Sequence, residues 1–210
     1  MTRGPAKQFD RDEVLERAMG LFWAQGYKAT GMSQLLAHMG IGRQSLYDTF
    51  GGKKALYLEA LGRYFDQRMT VARATLGAEG SPLANLRRLF ETMIEMGKRT
   101  NFCGCFMGNS AAEFGRRDPE MEKVVVRFFE KLRELLAETL TRAQAEGELP
   151  PEIPVEDVAQ VLIVTGQGLA LLSKINPDPK MASRLMDTSM AMLTGAVTSV
   201  AGSGAGSGAG

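Results

Sequence analysis

The residues best suited to recognising another molecule lie close together, between Thr30 and Lys54. Arg43 and Gln44 are adjacent, and their side chains carry the hydrogen-bonding groups that match the edges of guanine and adenine in the major groove of DNA. Tyr47 and Lys53 offer a hydroxyl and an ammonium group, which are typical ligands of phosphate. These residue types indicate a surface that contacts both the bases and the backbone of a duplex.

A second chemically distinctive group is formed by Cys103 and Cys105, the two cysteines of the chain. The helical pattern breaks over residues 101–108, so Cys105 is expected near a helix start, where the helix dipole favours a thiolate. Lys98 and Arg99 lie just upstream and act in the same direction if they are close. The alternative is that Cys105 is a small buried apolar residue, as free cysteines usually are.

The same cysteines are poor candidates for metal binding or catalysis. The single histidine, His38, belongs to a different part of the sequence, so two thiols would need carboxylates to complete four ligands. Redox enzymes more typically carry Cys-x-x-Cys, whereas the spacing here is Cys-x-Cys, and His38 has no evident nucleophile as a partner. We therefore predict no metal, no cofactor and no catalytic residue.

Three short helices are predicted to position the residues between Thr30 and Lys54. Asp10 is typical of a helix N-cap, and that first helix ends at Gly26. Thr30 is predicted to cap a second helix over residues 31–38, which Met39-Gly40 ends. A third helix follows Gly42 and ends near Phe50. Helices this short are not stable alone, so they must pack together as a helix-turn-helix.

The third helix is expected to enter the major groove. Leu46 and Phe50 are predicted to point into the small core, which leaves Arg43, Gln44 and Tyr47 facing outward. The Thr30 hydroxyl and the helix start behind it are predicted to contact phosphate. The residues predicted to complete the DNA-binding set from a mobile arm are Arg3 and Lys7.

The rest of the chain is also helical in its apolar spacing, so the predicted fold class is all-α. The further helices are predicted at about 53–75, from Pro82, at 119–146, at 155–174 and at 182–200. The predicted domains are a DNA-binding domain over residues 1–54 and an effector-binding and dimerisation domain over 55–200. Residues 201–210, which are rich in Gly, Ala and Ser, are predicted to form a flexible tail.

Charge and composition agree with a soluble DNA-binding protein. Residues 1–54 carry eight Lys or Arg and five Asp or Glu, whereas the remainder has a small excess of acidic residues. No apolar run approaches the roughly 20 residues that span a bilayer, and the N-terminus lacks a secretion signal. We therefore predict a cytoplasmic protein without a membrane partner.

The stretch from Phe22 to Leu56 resembles the N-terminal domain of the TetR family of regulators. The matching residues are Gly26, Tyr27, Thr30, Gly40, Leu46, Tyr47, Phe50 and Lys53. The resemblance implies an all-α dimer with a regulatory pocket in its C-terminal helices, and DNA contacts from Thr30, Arg43, Gln44, Tyr47 and Lys53. Gly42 departs from the pattern, because the family usually has Ser or Thr there, which puts one phosphate contact or cap in doubt.

The region around Cys105 is similar to one subgroup of TetR-like regulators, on the pattern of Gly104, Cys105, Asn109 and Glu113. Some members, the NemR-like ones, sense electrophiles or oxidants through a cysteine at this position. An apolar or electrophilic effector is therefore expected, in a deformable pocket of sulfur and aromatic side chains. The predicted effector-binding residues are Cys105, Phe106, Asn109, Met93, Met96, Phe90, Phe128 and Phe129; the alternative is that these residues fill an ordinary core.

The last two helices are predicted to form a homodimer interface as a four-helix bundle. The predicted interface residues are Val158, Leu162, Thr165, Leu169, Leu172, Leu185, Ser189 and Met192. The alternative is that these helices pack only within their own chain.

The sequence as a whole predicts a homodimeric repressor that binds a palindromic, double-stranded operator and is released by a small-molecule effector. Its effector is expected to tilt the helix that begins at Lys53 and to spoil the spacing of the two recognition helices. Three alternatives remain open: a redox sensor acting through oxidation of Cys105, a DNA-binding protein without an effector, and a thiol-based redox enzyme.

Overall fold

The computed structural model describes residues 9–193, which are helical apart from their connecting loops and turns. In chain order the helices are α1 (Arg11–Gln25), α2 (Met32–Met39), α3 (Arg43–Phe50), α4 (Lys53–Leu76), α5 (Pro82–Arg99), α6 (Phe106–Phe114), α7 (Pro119–Ala145), α8 (Val155–Leu172) and α9 (Pro179–Leu193), with a 3-10 turn at Gly115–Arg117. The predicted all-α fold class is confirmed. The predictions for Arg3, Lys7 and the tail at 201–210 lie outside the described residues.

The start of α1 and the ends of the first helices follow from local capping. The Asp10 carboxylate accepts hydrogen bonds from the backbone N–H groups of Asp12 and Glu13, at 2.8 and 3.3 Å. The helix α2 ends at Gly40, whose left-handed conformation (φ 71°) closes the helix and favours glycine. Both were predicted from the residue types alone.

The predicted cap at Thr30 is wrong. Gly31 is the N-cap residue of α2 and makes no side-chain capping bond. Thr30 is fully buried, and its hydroxyl donates to the carbonyl oxygen of Gly26 at 2.6 Å. The hydroxyl is directed back to the end of α1 because the chain between the two helices turns tightly, so Thr30 stabilises the loop instead of capping α2.

The described chain packs as two compact units. The first comprises residues 9–70 and 103–130, and the second comprises residues 71–102 and 131–193. These packing units differ from the predicted domains 1–54 and 55–200, whose functional division stays a prediction. The helix α6, which is distant in sequence from the first three helices, belongs to the same compact unit as they do.

An aromatic cluster forms much of the core of the first unit. Tyr57 of α4 is fully buried at its centre, and its ring lies 4.9 Å from that of Phe22 and 5.2 Å from that of Tyr27. On the other side, the Tyr57 ring lies 5.4 Å from Phe106 and 5.6 Å from Phe114, which begin and end α6. Such edge-to-face contacts fix the orientation of rings. The short helices α1 and α6 therefore share one aromatic core.

The second unit contains α5, α8, α9 and the C-terminal parts of α4 and α7. On α8, Ala159, Leu162, Ile163 and Gly166 form the buried face. Gly166 faces α5, and a Cβ on it would make ordinary van der Waals contacts, at 3.6 Å, with the side chains of Phe90 and Met93. The prediction that Leu162 forms a dimer contact is wrong, since its side chain is 1% exposed within its own chain.

A second apolar face of α8 is exposed to solvent. Val161, Val164 and Leu171 are 58%, 62% and 65% exposed, and Ile175 just beyond the helix is 83% exposed. On α9, Leu185 and Met192 are also exposed, whereas Met186 and Met190 are buried. Among the other predicted interface residues, Leu172 is exposed, while Val158, Thr165, Leu169 and Ser189 are half-buried.

The apolar character of α8 also qualifies the sequence-based expectation about membranes. Its 18 residues have a mean hydropathy of 1.4 and are long enough to cross a bilayer by length and composition. Glu156 and Asp157 lie within this helix, so it contains no uninterrupted apolar run of roughly 20 residues, in agreement with the sequence analysis. The same composition is typical of a helix that is apolar on two faces because one packs internally and the other contacts a protein partner.

Candidate nucleic-acid interface

The helix α3 presents a polar face that is separate from the face that anchors it. Leu46 and Phe50 are 0% and 4% exposed, as predicted. Arg43 and Gln44 are exposed on the first turn, and Tyr47 is 47% exposed one turn later. The three side chains predicted to contact DNA are therefore accessible, and the helix that carries them is held by its opposite face.

Asp48 fixes the orientation of the Gln44 side chain. The Gln44 amide nitrogen donates to the Asp48 carboxylate at 2.8 Å, across one helical turn. An amide group has two N–H donors and one carbonyl acceptor, so this contact leaves one donor and the acceptor for a base edge. Adenine presents the complementary pair of groups in the major groove: its N7 accepts a hydrogen bond and its N6 amino group donates one.

The start of α3 has no side-chain cap. Gly42 is the N-cap residue, in an extended conformation (φ −76°, ψ 160°), and no side chain accepts from the first turn. A Cβ added at Gly42 would have no neighbour within 4 Å. The first backbone N–H groups of α3 are therefore available to another acceptor, such as a phosphate.

Lys53 contributes to the interior as well as to the surface. Its Nζ donates to the carbonyl oxygen of Tyr27 at 2.6 Å and lies 4.3 Å from the centre of the Tyr27 ring. Burial lowers the pKa of the Lys53 ammonium, and the nearby Glu113 carboxylate opposes that shift. An ammonium has three donors, so a phosphate contact from Lys53 remains a prediction. The corresponding prediction for Thr30 must be corrected, because its buried hydroxyl is not accessible to a phosphate.

Cys105 is the N-cap residue of α6 and sits beside Tyr64 of α4. Its Sγ accepts from the backbone N–H of Gly108 at 3.5 Å and from the Tyr64 hydroxyl at 3.6 Å. Tyr64 is buried, and burial raises the pKa of its hydroxyl well above the usual value, with the neighbouring Cys105 adding to the rise. The hydroxyl is therefore protonated at neutral pH and donates to the sulfur. The half-buried thiol is held by two donors.

The other predicted effector residues are divided between the two units. In the first, Phe106 is fully buried, Phe128 nearly so and Phe129 half-buried, and the Asn109 amide donates to the carbonyl oxygen of Cys103 at 2.8 Å. In the second, Phe90 is buried, Met96 half-buried and Met93 38% exposed.

An open cleft of about 700 Å³ lies in the second unit, between the end of α4 and the helices α7 and α8. Its charged lining residues are Arg73, Glu134, Glu138, Arg142 and Glu156. None of the predicted effector-binding residues lines this cleft. The composition of the effector site therefore stays a prediction.

Several polar contacts link the α6 segment to the first helices, and sequence reasoning missed all of them. The Trp23 indole donates to the carbonyl oxygen of Gly104 at 2.9 Å, and the Tyr57 and Ser110 hydroxyls lie 2.8 Å apart. Glu113 accepts from the backbone of the α1–α2 loop. The partners are separated by more than 50 positions in sequence, so no local pattern signals them.

Known proteins with similar sequences are transcriptional regulators. The family model described as "Bacterial regulatory proteins, tetR family" matches residues 14–60, and "Tetracyclin repressor-like, C-terminal domain" matches residues 82–189. The uncharacterised HTH-type transcriptional regulator YezE of Bacillus subtilis is 32% identical over 192 residues, which is 90% of this chain and 99% of YezE. The HTH-type transcriptional repressor ComR of Escherichia coli is 29% identical over 175 residues, which is 82% of this chain and 83% of ComR.

A solved structure with a similar fold contains DNA. It is a cysteine mutant of the regulator CifR complexed with a 26bp double-strand operator. It is 26% identical to this chain, covers 89% of it and 98% of the CifR chain, and superposes with a TM-score of 0.76.

Proposed function

This chain belongs to the TetR family of transcriptional regulators and is not an enzyme, and from that premise we propose that it is a homodimeric repressor that binds a palindromic operator and is released by an apolar or electrophilic effector. The observation that carries the proposal is the exposure of Arg43, Gln44 and Tyr47 on a helix held by buried Leu46 and Phe50. The similarity to CifR, whose structure contains operator DNA, supports a DNA partner for this chain.

The proposed roles in DNA binding follow from the chemistry of each group. Arg43 donates two hydrogen bonds to O6 and N7 of a guanine, and Gln44, oriented by Asp48, pairs with an adenine. Tyr47, Lys53 and the uncapped start of α3 bind phosphate and set the register of the helix in the groove. Arg3 and Lys7 are proposed to add backbone or minor-groove contacts.

Dimerisation is proposed to cover the exposed apolar face of α8 and the adjoining residues of α9. Val161, Val164 and Leu171 recur at spacings of three and seven, so they line one side of α8. A continuous apolar face of this kind is uncommon on a monomer and typical of a subunit interface. Two such helix pairs form a four-helix bundle and place two recognition helices roughly 34 Å apart, one turn of DNA.

Release of the operator is proposed to begin at or near Cys105. The second candidate, a thiol-based sensor, is favoured by the half-buried sulfur and its two hydrogen-bond donors, because reactive cysteines typically lie in partly exposed polar sites. Cys105 belongs to the same compact unit as α3, so a change at the sulfur alters the packing of the unit that contains the recognition helix. The protein is proposed to act in the cytoplasm, where thiols stay reduced.

Base recognition is tested by Arg43→Ala and Gln44→Ala on a duplex selected by the wild-type protein from a randomised pool. Each variant is expected to weaken specific binding by about 1–3 kcal/mol and to relax the preference at one base position, because one bidentate contact is lost. Arg99→Ala is the matched control for the loss of one exposed positive charge outside the interface. Equal losses in Arg43→Ala and Arg99→Ala would show that charge alone, and not base contact, was removed.

The thiol mechanism is tested by operator binding before and after treatment with N-ethylmaleimide. The wild-type protein and Cys103→Ser are expected to release the operator, whereas Cys105→Ser is expected to retain it. Release from Cys105→Ser as well would exclude this cysteine as the sensor. A wild-type protein that keeps its operator after complete alkylation would favour a noncovalent effector or a constitutive DNA-binding protein.

A further inference from the structure

The loop between α1 and α2 is held by side chains from elsewhere in the first unit. Gly26, which ends α1, has a φ of +86°, and its carbonyl oxygen accepts from the Thr30 hydroxyl. Tyr27 and Lys28 lie between these two residues, and their backbone N–H groups donate to a side chain of α6. Because this loop leads into α2, its conformation determines where the helix-turn-helix begins.

Glu113 of α6 accepts both of these N–H groups with one carboxylate. Its Oε2 lies 2.9 Å from the nitrogen of Tyr27, and its Oε1 lies 2.6 Å from the nitrogen of Lys28. A Cβ on Gly26 would stand only 2.9 Å from Oε2, so the carboxylate approaches the loop closely where a glycine permits it. Hydrogen bonds to an ionised acceptor are roughly twice as strong as neutral ones.

Lys53 holds the same residue from the other side. Its Nζ donates to the carbonyl oxygen of Tyr27 at 2.6 Å, while Glu113 accepts from the Tyr27 N–H. The Tyr27 ring is packed against Tyr57 and Phe114, with centroids 5.2 and 5.4 Å apart. Tyr27 is therefore held at three groups: its backbone N–H is bound by α6, its carbonyl oxygen by the start of α4, and its ring packs in the aromatic core.

We propose that Glu113 is a positioning residue for operator binding, which couples α6 to the helix-turn-helix through the backbone of Tyr27 and Lys28. The inference rests on the proposed function, because it assigns to α6 the task of setting the DNA affinity of α2 and α3. Glu113 lies one residue before the end of α6, and Cys105 caps its start. A nine-residue helix is about 13 Å long and moves as a rigid body. A displacement at Cys105 is therefore transmitted to the loop through Glu113.

The contacts at the other end of α6 support this coupling. Trp23 of α1 donates to Gly104 just before Cys105, and Tyr57 of α4 contacts Ser110 in the middle of the helix. Hydrogen bonds thus connect the segment 104–113 to α1, to α4 and, through Glu113, to the loop leading into α2. If α6 shifts along its axis, either the hydrogen bonds of Glu113 break or the loop moves with the helix.

The decisive variant is Glu113→Gln, which keeps the shape of the side chain but replaces one acceptor with a donor. The amide NH₂ then faces a backbone N–H, so one hydrogen bond and the charge are lost together. Glu130→Gln, on an exposed position of α7 in the same unit, is the matched control. Both variants are measured for hydrogen exchange at the Tyr27 and Lys28 amides, for thermal unfolding, and for binding to the duplex selected by the wild-type protein.

We expect Glu113→Gln to weaken operator binding about tenfold, which corresponds to about 1.4 kcal/mol. The Tyr27 and Lys28 amides should lose their protection from exchange while the buried amides of α4 keep theirs, a local signature that general destabilisation does not produce. Glu113→Asp should give an intermediate loss, because it retains the charge but is one methylene too short to reach both donors. Glu130→Gln should match the wild type in all three measurements.

Three results would overturn the inference. The first is unprotected Tyr27 and Lys28 amides in the wild-type protein, a measurement that needs no variant to fold. The second is a Glu113→Gln protein that binds the operator as tightly as the wild type. The third is a wild-type protein that selects no duplex at all, which also overturns the proposed function, whereas the first two leave that function standing.

Discussion

Gly42 leaves the first turn of α3 without a side-chain acceptor at the point where the recognition helix meets DNA. Its extended backbone conformation is accessible to serine, and no atom lies within 4 Å of a new Cβ. We expect Gly42→Ser to stabilise the fold by a few tenths of a kcal/mol, because the hydroxyl accepts from the first turn. We also expect several-fold tighter operator binding, since a hydroxyl there reaches a phosphate.

The measurement is urea unfolding together with operator affinity, and Gly42→Ala is the control. Alanine adds the Cβ without the hydroxyl, so it should lose stability relative to serine and gain no affinity. If serine and alanine behave alike, the added hydroxyl neither caps α3 nor contacts a phosphate.

Tyr64 offers a second test at the scale of single residues. Tyr64→Phe removes the hydroxyl that donates to Cys105 Sγ at 3.6 Å and leaves the ring in the aromatic core. We expect alkylation of Cys105 by N-ethylmaleimide at neutral pH to slow several-fold, because one of the two donors that contact the sulfur while it reacts is lost. Mass spectrometry reports the rate, with Cys103 in the same molecule as the internal reference; an unchanged Cys105 rate would contradict the role of Tyr64.

Single residues differ in how far their sequence neighbours determine their environment. The orientation of Leu46 and Phe50 was predictable, because the period of a helix fixes which side chains share a face. Thr30 was assigned wrongly, since a hydroxyl before a helix has two backbone partners within reach, and the tight turn from α1 selects Gly26. Glu113 belongs to the sequence pattern around Cys105, but nothing local predicts that its carboxylate meets a loop 86 residues away.

At the scale of elements, helix ends were predicted better than helix faces. Capping residues act within one turn, so Asp10, Gly26 and Ser81-Pro82 mark boundaries that the structure confirms. The helix α8 is apolar on two faces, and its period alone does not tell which face contacts the rest of the chain. The stripe through Leu162 was therefore assigned to the dimer although Leu162 is buried internally.

A substitution on the internal face of α8 is expected to lower the stability of the fold without preventing dimerisation. Leu162→Ala leaves a cavity where the side chain was 1% exposed, and we expect the free energy of unfolding to fall by about 2–5 kcal/mol. Sedimentation of the folded protein should be unchanged, because the exposed face is intact. A variant that is fully stable but dissociated would reverse the assignment of the two faces.

At the scale of the whole molecule, the family fold was predictable from residues 22–56, whereas the placement of α6 was not. The chain returns to the first unit at residue 103 after passing through the second, and this return depends on contacts between distant residues. It brings the helix that Cys105 caps into the compact unit that contains α3 and into contact with Tyr57 of α4. A regulator built in this way needs no separate linker between the proposed sensor cysteine and its DNA-binding helices.

The dimer itself is tested by placing a charge on the exposed face of α8. Leu171→Lys should give a monomer with unchanged helical content, because a lysine within the proposed apolar interface is buried without a partner. Ala145→Lys adds the same charge at an exposed position on α7 and should remain dimeric.

Operator binding then reports whether both recognition helices act together. Each subunit of a dimer neutralises its own set of phosphates, so the slope of log affinity against log salt should be about half as steep for monomeric Leu171→Lys. Its affinity for the full palindrome should fall to that for a half-site, while Ala145→Lys keeps the wild-type slope. A monomer that binds the palindrome with the full slope and affinity would mean that one copy of α3 is enough, because no second subunit would then be needed to contact the adjacent turn of the groove.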